Sequence, residues 1–131
     1  MIALDTNVLV RYVADDSAPQ SELARRELRA LTTVEPGFVS LIVLVELSWV
    51  LRRSYGFPAE AIHDLVEELL DAAELEVEDE ESVSRSLDRA RAGVDFADAL
   101  IGDAADLYGC TETVTFDRGA ATSLGWRLLN R

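Results

Sequence analysis

Carboxylates stand at four places in this chain where their position needs a reason. Asp5 ends the apolar run Met1-Ile-Ala-Leu and opens the triplet Asp5-Thr6-Asn7; Glu46 interrupts the apolar segment 42–51; Asp95 and Asp98 open Phe96-Ala-Asp98-Ala-Leu-Ile; Asp117 follows Thr113-Val-Thr115-Phe116. An ionised carboxylate among apolar neighbours is costly unless it is paired, hydrogen-bonded or bound to a cation. Several within a few ångströms of one another repel, and at least one pKa rises unless a cation neutralises them. A hard divalent ion that takes oxygen ligands, Mg²⁺ or Mn²⁺, meets that need; it keeps several waters and binds directly through one or two carboxylates. The plainer readings are pairing of Glu46 with Arg52 or Arg53, or its placement toward solvent, and ordinary helix capping by Asp95. Capping leaves Asp98, one turn further on the same face, without an assigned partner.

The elements that must position these acids alternate between strand and helix. Met1–Leu4 reads as a strand buried on both faces, as in a parallel sheet, which puts Asp5 at the strand's carboxyl end, where ligands bind in open α/β sheets. Thr6 to about Val13 continues as a short helix. Asp15-Asp16-Ser17-Ala18-Pro19 is a turn leading into an amphipathic helix over Gln20–Leu31, with Leu23, Leu28 and Leu31 as its apolar residues and proline suited to the first turn. Glu35-Pro36-Gly37 breaks it. Phe38-Val39-Ser40 is a short strand, and Ser40 caps a helix over Leu41–Arg53 whose length outweighs its β-branched composition. After Tyr55-Gly56-Phe57-Pro58 a helix runs to about Ala73, burying Ile62, Leu65, Val66, Leu69 and Leu70, with His63 on the polar side as a solvated residue. Leu75–Val77 is a third strand. Glu78–Glu81 place acids at the start of a helix reaching about Ala92, and the helix opened by Asp95 ends near Tyr108-Gly109. Thr113–Phe116 and Trp126–Leu129 complete the strands. This alternation predicts a three-layer α/β/α sandwich with a mostly parallel central sheet, built as one domain over residues 1–131. Right-handed crossovers in such a sheet bring strand ends and helix starts to one edge.

Composition narrows the chemistry. About half of the 131 residues are apolar, enough for a core without staples. Neither a membrane span nor a secretory signal is expected, and a cytoplasmic protein follows. The single cysteine, Cys110, forms no internal disulfide and reads as a small core residue near a strand start. The net charge is −13 and all 12 basic residues are arginine. Such a surface repels a polyphosphate, so a nucleic-acid substrate would be held by local arginines, by metal or by a partner chain. The absence of lysine excludes the P-loop and Schiff-base chemistry.

The ordered set of Asp5-Thr6-Asn7, Ser40 with Glu46, Asp95-Phe-Ala-Asp98-Ala-Leu-Ile and Thr115-Phe-Asp117 resembles the PIN domain, and within it the VapC-like toxins of toxin–antitoxin pairs. The resemblance runs nearly from end to end. It implies that Asp5, Glu46, Asp98 and Asp117 form an acidic quartet, that Asp95 is an additional acid, and that Thr6, Asn7, Ser40 and Thr115 are supporting polar residues. The Ala-Leu-Ile run directly after Asp98 favours it over Asp95 as the third acid. Gly102-Asp103 departs from the small apolar residues that often follow that run. The implied activity is an endoribonuclease with Mg²⁺ or Mn²⁺, a VapB-like antitoxin as partner and a homodimer as the assembly. Asp5 and Asp117 are the expected direct ligands, with Asp98 direct or through water. Glu46 is a ligand or the base that orients the attacking water. Arg11, Arg91 and Arg118 are candidates to contact RNA phosphates.

Two phosphate-chemistry classes fit less well. A haloacid-dehalogenase-type phosphatase needs a second Asp where this chain has Asn7, and a response-regulator receiver needs a lysine that is absent. A PIN-like module that binds without cleaving is the remaining alternative; it would show no metal-dependent cut.

Overall fold

The computed structural model describes residues 1–14 and 18–130. The core of the turn expected at Asp15–Pro19, residues 15–17, lies outside the described residues. The chain divides into two compact units, Met1–Glu80 and Glu81–Arg131.

In the first unit, β1 (Ile2–Ala3), β2 (Gly37–Val39) and β3 (Leu75–Val77) form a parallel sheet in the order β1-β2-β3. Parallel neighbours cannot be joined by a tight turn and need a long crossover. Here α1 (Thr6–Ala14) and α2 (Pro19–Arg29) link β1 to β2, while α3 (Leu41–Arg53) and α4 (Ala59–Asp71) link β2 to β3. Ile2 aligns with Gly37, and Gly37, Phe38 and Val39 align with Leu75, Glu76 and Val77. The central strand needs glycine where the layers meet. A Cβ on Gly37 would stand 2.8 Å from a Leu31 methyl and 2.9 Å from one of Leu75.

The helices bury stripes at helical spacing. Leu44, Leu47, Ser48 and Leu51 form the inner face of α3, and Ile62, Leu65, Val66 and Leu69 that of α4. The expected choice of helix over strand for Leu41–Arg53 is borne out. Burying the Leu44, Leu47 and Leu51 side chains contributes roughly 1.5–3 kcal/mol each relative to exposure, which is how an unpromising β-branched segment is held helical.

In the second unit, α5 (Glu80–Arg91) and α6 (Phe96–Leu107) precede a two-stranded parallel sheet of β4 (Val114–Thr115) and β5 (Arg127–Leu128), joined through α7 (Arg118–Leu124). Gly125, at φ 70°, ends α7 in the left-handed conformation that glycine adopts without a Cβ penalty. Trp126 packs its ring against Gly102 of α6. Among the described residues there are seven helices and every strand pair is parallel, so the chain has the expected α/β class. No described helix is long and apolar enough to cross a membrane.

Four expectations are corrected. The first strand is not buried on both faces: Ile2 and Ala3 are exposed, because a two-residue strand at the sheet edge presents little for the layers to cover, and Leu4 carries the burial instead. His63 is buried rather than solvated, since it borders the apolar stripe of α4 between Ile62 and Val66. Leu23, expected on the apolar face of α2, is 61 % exposed, and the buried positions there are Ser21 and Ala24. Cys110 is exposed because it sits in the turn that closes α6, its N–H donating to the Ala105 carbonyl.

Candidate active site

Each acid singled out from the sequence is placed by an identifiable local device. Asp5 precedes α1, and its Oδ1 accepts a hydrogen bond from the Thr6 N–H at 2.8 Å. Asp95 caps α6 through Oδ2, accepting from the Asp98 N–H at 3.0 Å. Asp117 caps α7 through Oδ1, accepting from the Ala120 N–H at 3.0 Å. All three therefore stand at helix amino termini, where unsatisfied N–H groups and the macrodipole favour a negative charge. In each case one carboxylate oxygen is fixed by backbone, which orients the group.

In the first unit the structure brings Thr6 and Glu46 together. Thr6 is buried, and its hydroxyl donates to Oε1 of Glu46 on the exposed side of α3. The bland pairing of Glu46 with Arg52 or Arg53 is not what is found. Arg52 donates to the Phe57 carbonyl and Arg53 lies over the Trp49 ring. Ser40 acts as expected from its position, its Oγ accepting from the Val43 N–H at 3.1 Å at the start of α3. Asn7 is exposed and lines a groove of about 360 Å³ with Arg11, Gln20, Leu23 and Glu27.

In the second unit the charges of Asp95 and Asp117 reach Asp98. Burial, then the charges of Asp95 and Asp117, push the Asp98 carboxyl above the ordinary Asp value. Burial and nearby anions both disfavour the charged form, and the two meet on Asp98, the acid that capping leaves unexplained. Thr115 supports Asp117 by accepting from its N–H through Oγ1 at 3.0 Å. Arg118, the first residue of α7, is exposed beside Asp117, and Arg91 is exposed at the end of α5.

The donor chemistry fits a hard divalent cation. The donors are all oxygens, and a cation would favour the charged form of Asp98 against its burial and the neighbouring charges. Among the described residues no three His, Cys, Asp or Glu side chains stand together as a ready ligand group.

Two positioning contacts escaped the sequence reading. Glu78, expected to serve the start of α5, instead accepts from the Leu41 N–H at 2.8 Å and so braces the amino end of α3, the helix that carries Glu46. Asp103, only 4 % exposed, is held by Arg85 through Nε at 2.8 Å and Nη2 at 3.1 Å. Its signal was the one already used for Glu46, an acid inside an apolar helix. That signal was visible at Gly102-Asp103, but its partner lies on another helix.

No curated protein and no solved structure matches the chain. The family described as PIN domain matches residues 2–122, which takes in every one of these acids. On that match the chain belongs to the PIN domain family, whose members are in general metal-dependent nucleases.

Proposed function

We propose that this protein is a metal-dependent endoribonuclease, the toxin of a VapBC-type toxin–antitoxin pair, acting as a single cytoplasmic domain and a homodimer. The observation that best supports the nuclease reading is the half-buried Asp98 carboxyl, held within reach of the charges of Asp95 and Asp117 at the starts of α6 and α7. Asp5 and Asp117 directly, and Asp98 directly or through water, would hold Mg²⁺ or Mn²⁺, with Asp95 as an additional acid. Held by these acids, such an ion would supply a nucleophilic water at neutral pH and would offset charge on the phosphoryl oxygens.

The protein's own residues do the rest. Asp5, Asp95 and Asp117 each offer a carboxylate with one oxygen already fixed by a backbone N–H, so orienting them costs little at the moment of reaction. Glu46, steadied by Thr6, orients the attacking water and accepts its proton. Thr6, Asn7, Ser40 and Thr115 position the acids. In-line hydrolysis leaves a 5′-phosphate. Arg11, Arg91 and Arg118 supply the local positive charge that a chain of net charge −13 needs to hold a polyphosphate.

The test is cleavage of total RNA with Mn²⁺ against an EDTA control, for the wild type and for Asp5→Asn and Asp98→Asn. Metal-dependent cutting that both substitutions abolish is the expected result. Full activity in either variant would sink the site assignment. RNA bound but never cut would instead indicate a binding module. Co-purification of a small DNA-binding protein tests the antitoxin.

A further inference from the structure

Phe116 stands in the open beside one of the acids. It is 80 % exposed, and the two residues that follow it, Asp117 and Arg118, are exposed as well. The backbone is held on either side of it. The Thr115 carbonyl accepts from the Leu129 N–H at 2.7 Å, and the Thr115 hydroxyl accepts from the Asp117 N–H at 3.0 Å, a bond that spans Phe116. Asp117 in turn accepts from the Ala120 N–H. A single exposed apolar side chain is ordinary on a protein surface; what sets Phe116 apart is its place between these fixed residues.

We infer that the Phe116 ring is a stacking platform for an unpaired RNA base, the base of a nucleotide whose phosphate comes to Asp117. The inference rests on the nuclease reading and narrows its substrate to RNA that is single-stranded at the cut. Adjacent Cα atoms are about 3.8 Å apart, so whatever the Asp117 carboxylate acts on comes within a side chain's length of the ring. With the scissile phosphate at Asp117, the sugar and base attached to it are the groups that meet Phe116. In a duplex that base is stacked inside the helix, whereas in a single strand it can splay out onto an aromatic face.

The neighbours of the ring suit the same occupant. Ring, carboxylate and guanidinium follow one another at positions 116, 117 and 118, so a cover laid on the ring also meets both charges. A purely apolar partner would desolvate them at a cost. A nucleotide brings a base to the ring, and phosphates to the guanidinium and to the ion that Asp117 would hold. Stacking accepts any base, because every base has a π-face. It also adds a hold on RNA that does not depend on positive charge, which suits a chain of net charge −13.

The test uses a short fluorescein-labelled single-stranded RNA, and versions of it in which one nucleotide at a time lacks its base. Fluorescence anisotropy in EDTA reads binding without cleavage, and cleavage of the intact strand with Mn²⁺ is read in parallel. Phe116→Ala and Phe116→Leu are expected to weaken binding of the intact strand by about ten- to a hundredfold, and Phe116→Tyr to keep most of the affinity. One abasic position, next to the bond that is cut, should cost the wild type a similar factor and cost Phe116→Ala almost nothing more, because ring and base act as a pair. Circular dichroism confirms that the variants fold. Wild-type affinity in Phe116→Ala and Phe116→Leu would overturn the platform, as would abasic costs that are the same in wild type and Phe116→Ala. No single-strand binding by the wild type, or equal affinity for a duplex of the same sequence, would also overturn it. So would a lower molar mass of Phe116→Ala in light scattering, which would show that a second copy covers the ring. Mn²⁺-dependent cleavage indifferent to Phe116 would remove the platform and leave the nuclease reading standing. Coupling of Phe116 to one base without any Mn²⁺-dependent cleavage would support the platform while removing the nuclease reading.

Discussion

Thr6 donates its hydroxyl hydrogen to Oε1 of Glu46, joining residues forty positions apart, the first residue of α1 and the middle of α3. The two ends of the bond differ in environment: Thr6 is 6 % exposed, whereas Glu46 is on the open side of its helix. A buried hydroxyl without a partner is costly, so the bond settles Thr6 and fixes Glu46 together. Glu46 thus stands toward solvent, as one plainer reading of its position expects, and among the described residues its side-chain partner is Thr6 rather than an arginine.

Removing that hold should loosen Glu46 without displacing it from the helix. Thr6→Val keeps the shape and deletes the donor; Thr6→Ser keeps the donor. RNA cleavage with Mn²⁺ is expected to fall about 10- to 100-fold in Thr6→Val, the range for residues that orient a metal site, and to recover largely in Thr6→Ser. Equal loss in both would mean that the methyl group, rather than the hydroxyl, matters. Kinetics on one RNA substrate decide between them.

The pH dependence of stability should carry the mark of Asp98. Its folded pKa lies above the ordinary value through burial and the charges of Asp95 and Asp117. The folded state therefore binds this proton more tightly than the unfolded state does. That contribution is full below the unfolded pKa and is lost as pH rises through the folded one. Asp98→Asn removes the ionisation, so in metal-free protein the variant is expected to gain stability relative to wild type as pH rises from the acid carboxylate range toward neutrality. Urea unfolding in EDTA across that range tests it. A difference that does not grow with pH would mean that Asp98 is not crowded.

These contacts show where sequence is a sufficient guide. Period and punctuation placed the helices: Ser40 and Asp95 are residue types that cap, and the buried stripe of α3 recurs at helical spacing. Neither α7 nor Asp117 as its cap is expected from the sequence, which offers Asp117 only as the end of a strand. What was not legible depends on the other side of an interface. His63 reads as polar on a helical projection, yet the width of the face covered on α4 buries it. Met1–Leu4 reads as interior by composition, and only strand order reveals an edge. Glu78 with Leu41 joins elements that chain order does not pair, and Arg85 with Asp103 depends on how two consecutive helices face each other.

Arg85 and Asp103 should behave as a coupled pair. The Asp103 side chain is 6 % exposed and that of Arg85 46 %, so losing the arginine strands a nearly buried charge. Discounted for the solvent around the arginine, Arg85→Ala is expected to cost about 1–3 kcal/mol. Arg85→Ala with Asp103→Ala should cost less than the sum of the single changes. Hydrogen bonding from Arg85 holds the Asp103 carboxyl below its ordinary value. Its contribution is thus present above the unfolded pKa and lost as pH falls through the folded one. Urea titrations of the four proteins at neutral and acid pH measure both effects. Additive costs that do not change with pH would contradict the coupling.

Asp117 allows the capping and chemical roles to be separated with one position. Its Oδ1 accepts from the Ala120 N–H at the start of α7, and asparagine offers a carbonyl oxygen to the same donor. Asp117→Asn should therefore leave thermal stability nearly unchanged while abolishing metal-dependent RNA cleavage, because the capping geometry survives and the charge does not. Asp117→Ala loses both and should unfold more easily by about 1 kcal/mol. If Asp117→Asn cleaves RNA as wild type does, Asp117 is a cap and nothing more, and the acidic site must be rebuilt without it. If Asp117→Asn is as unstable as Asp117→Ala, the negative charge at the helix terminus, rather than the hydrogen bond, is what holds α7 in place.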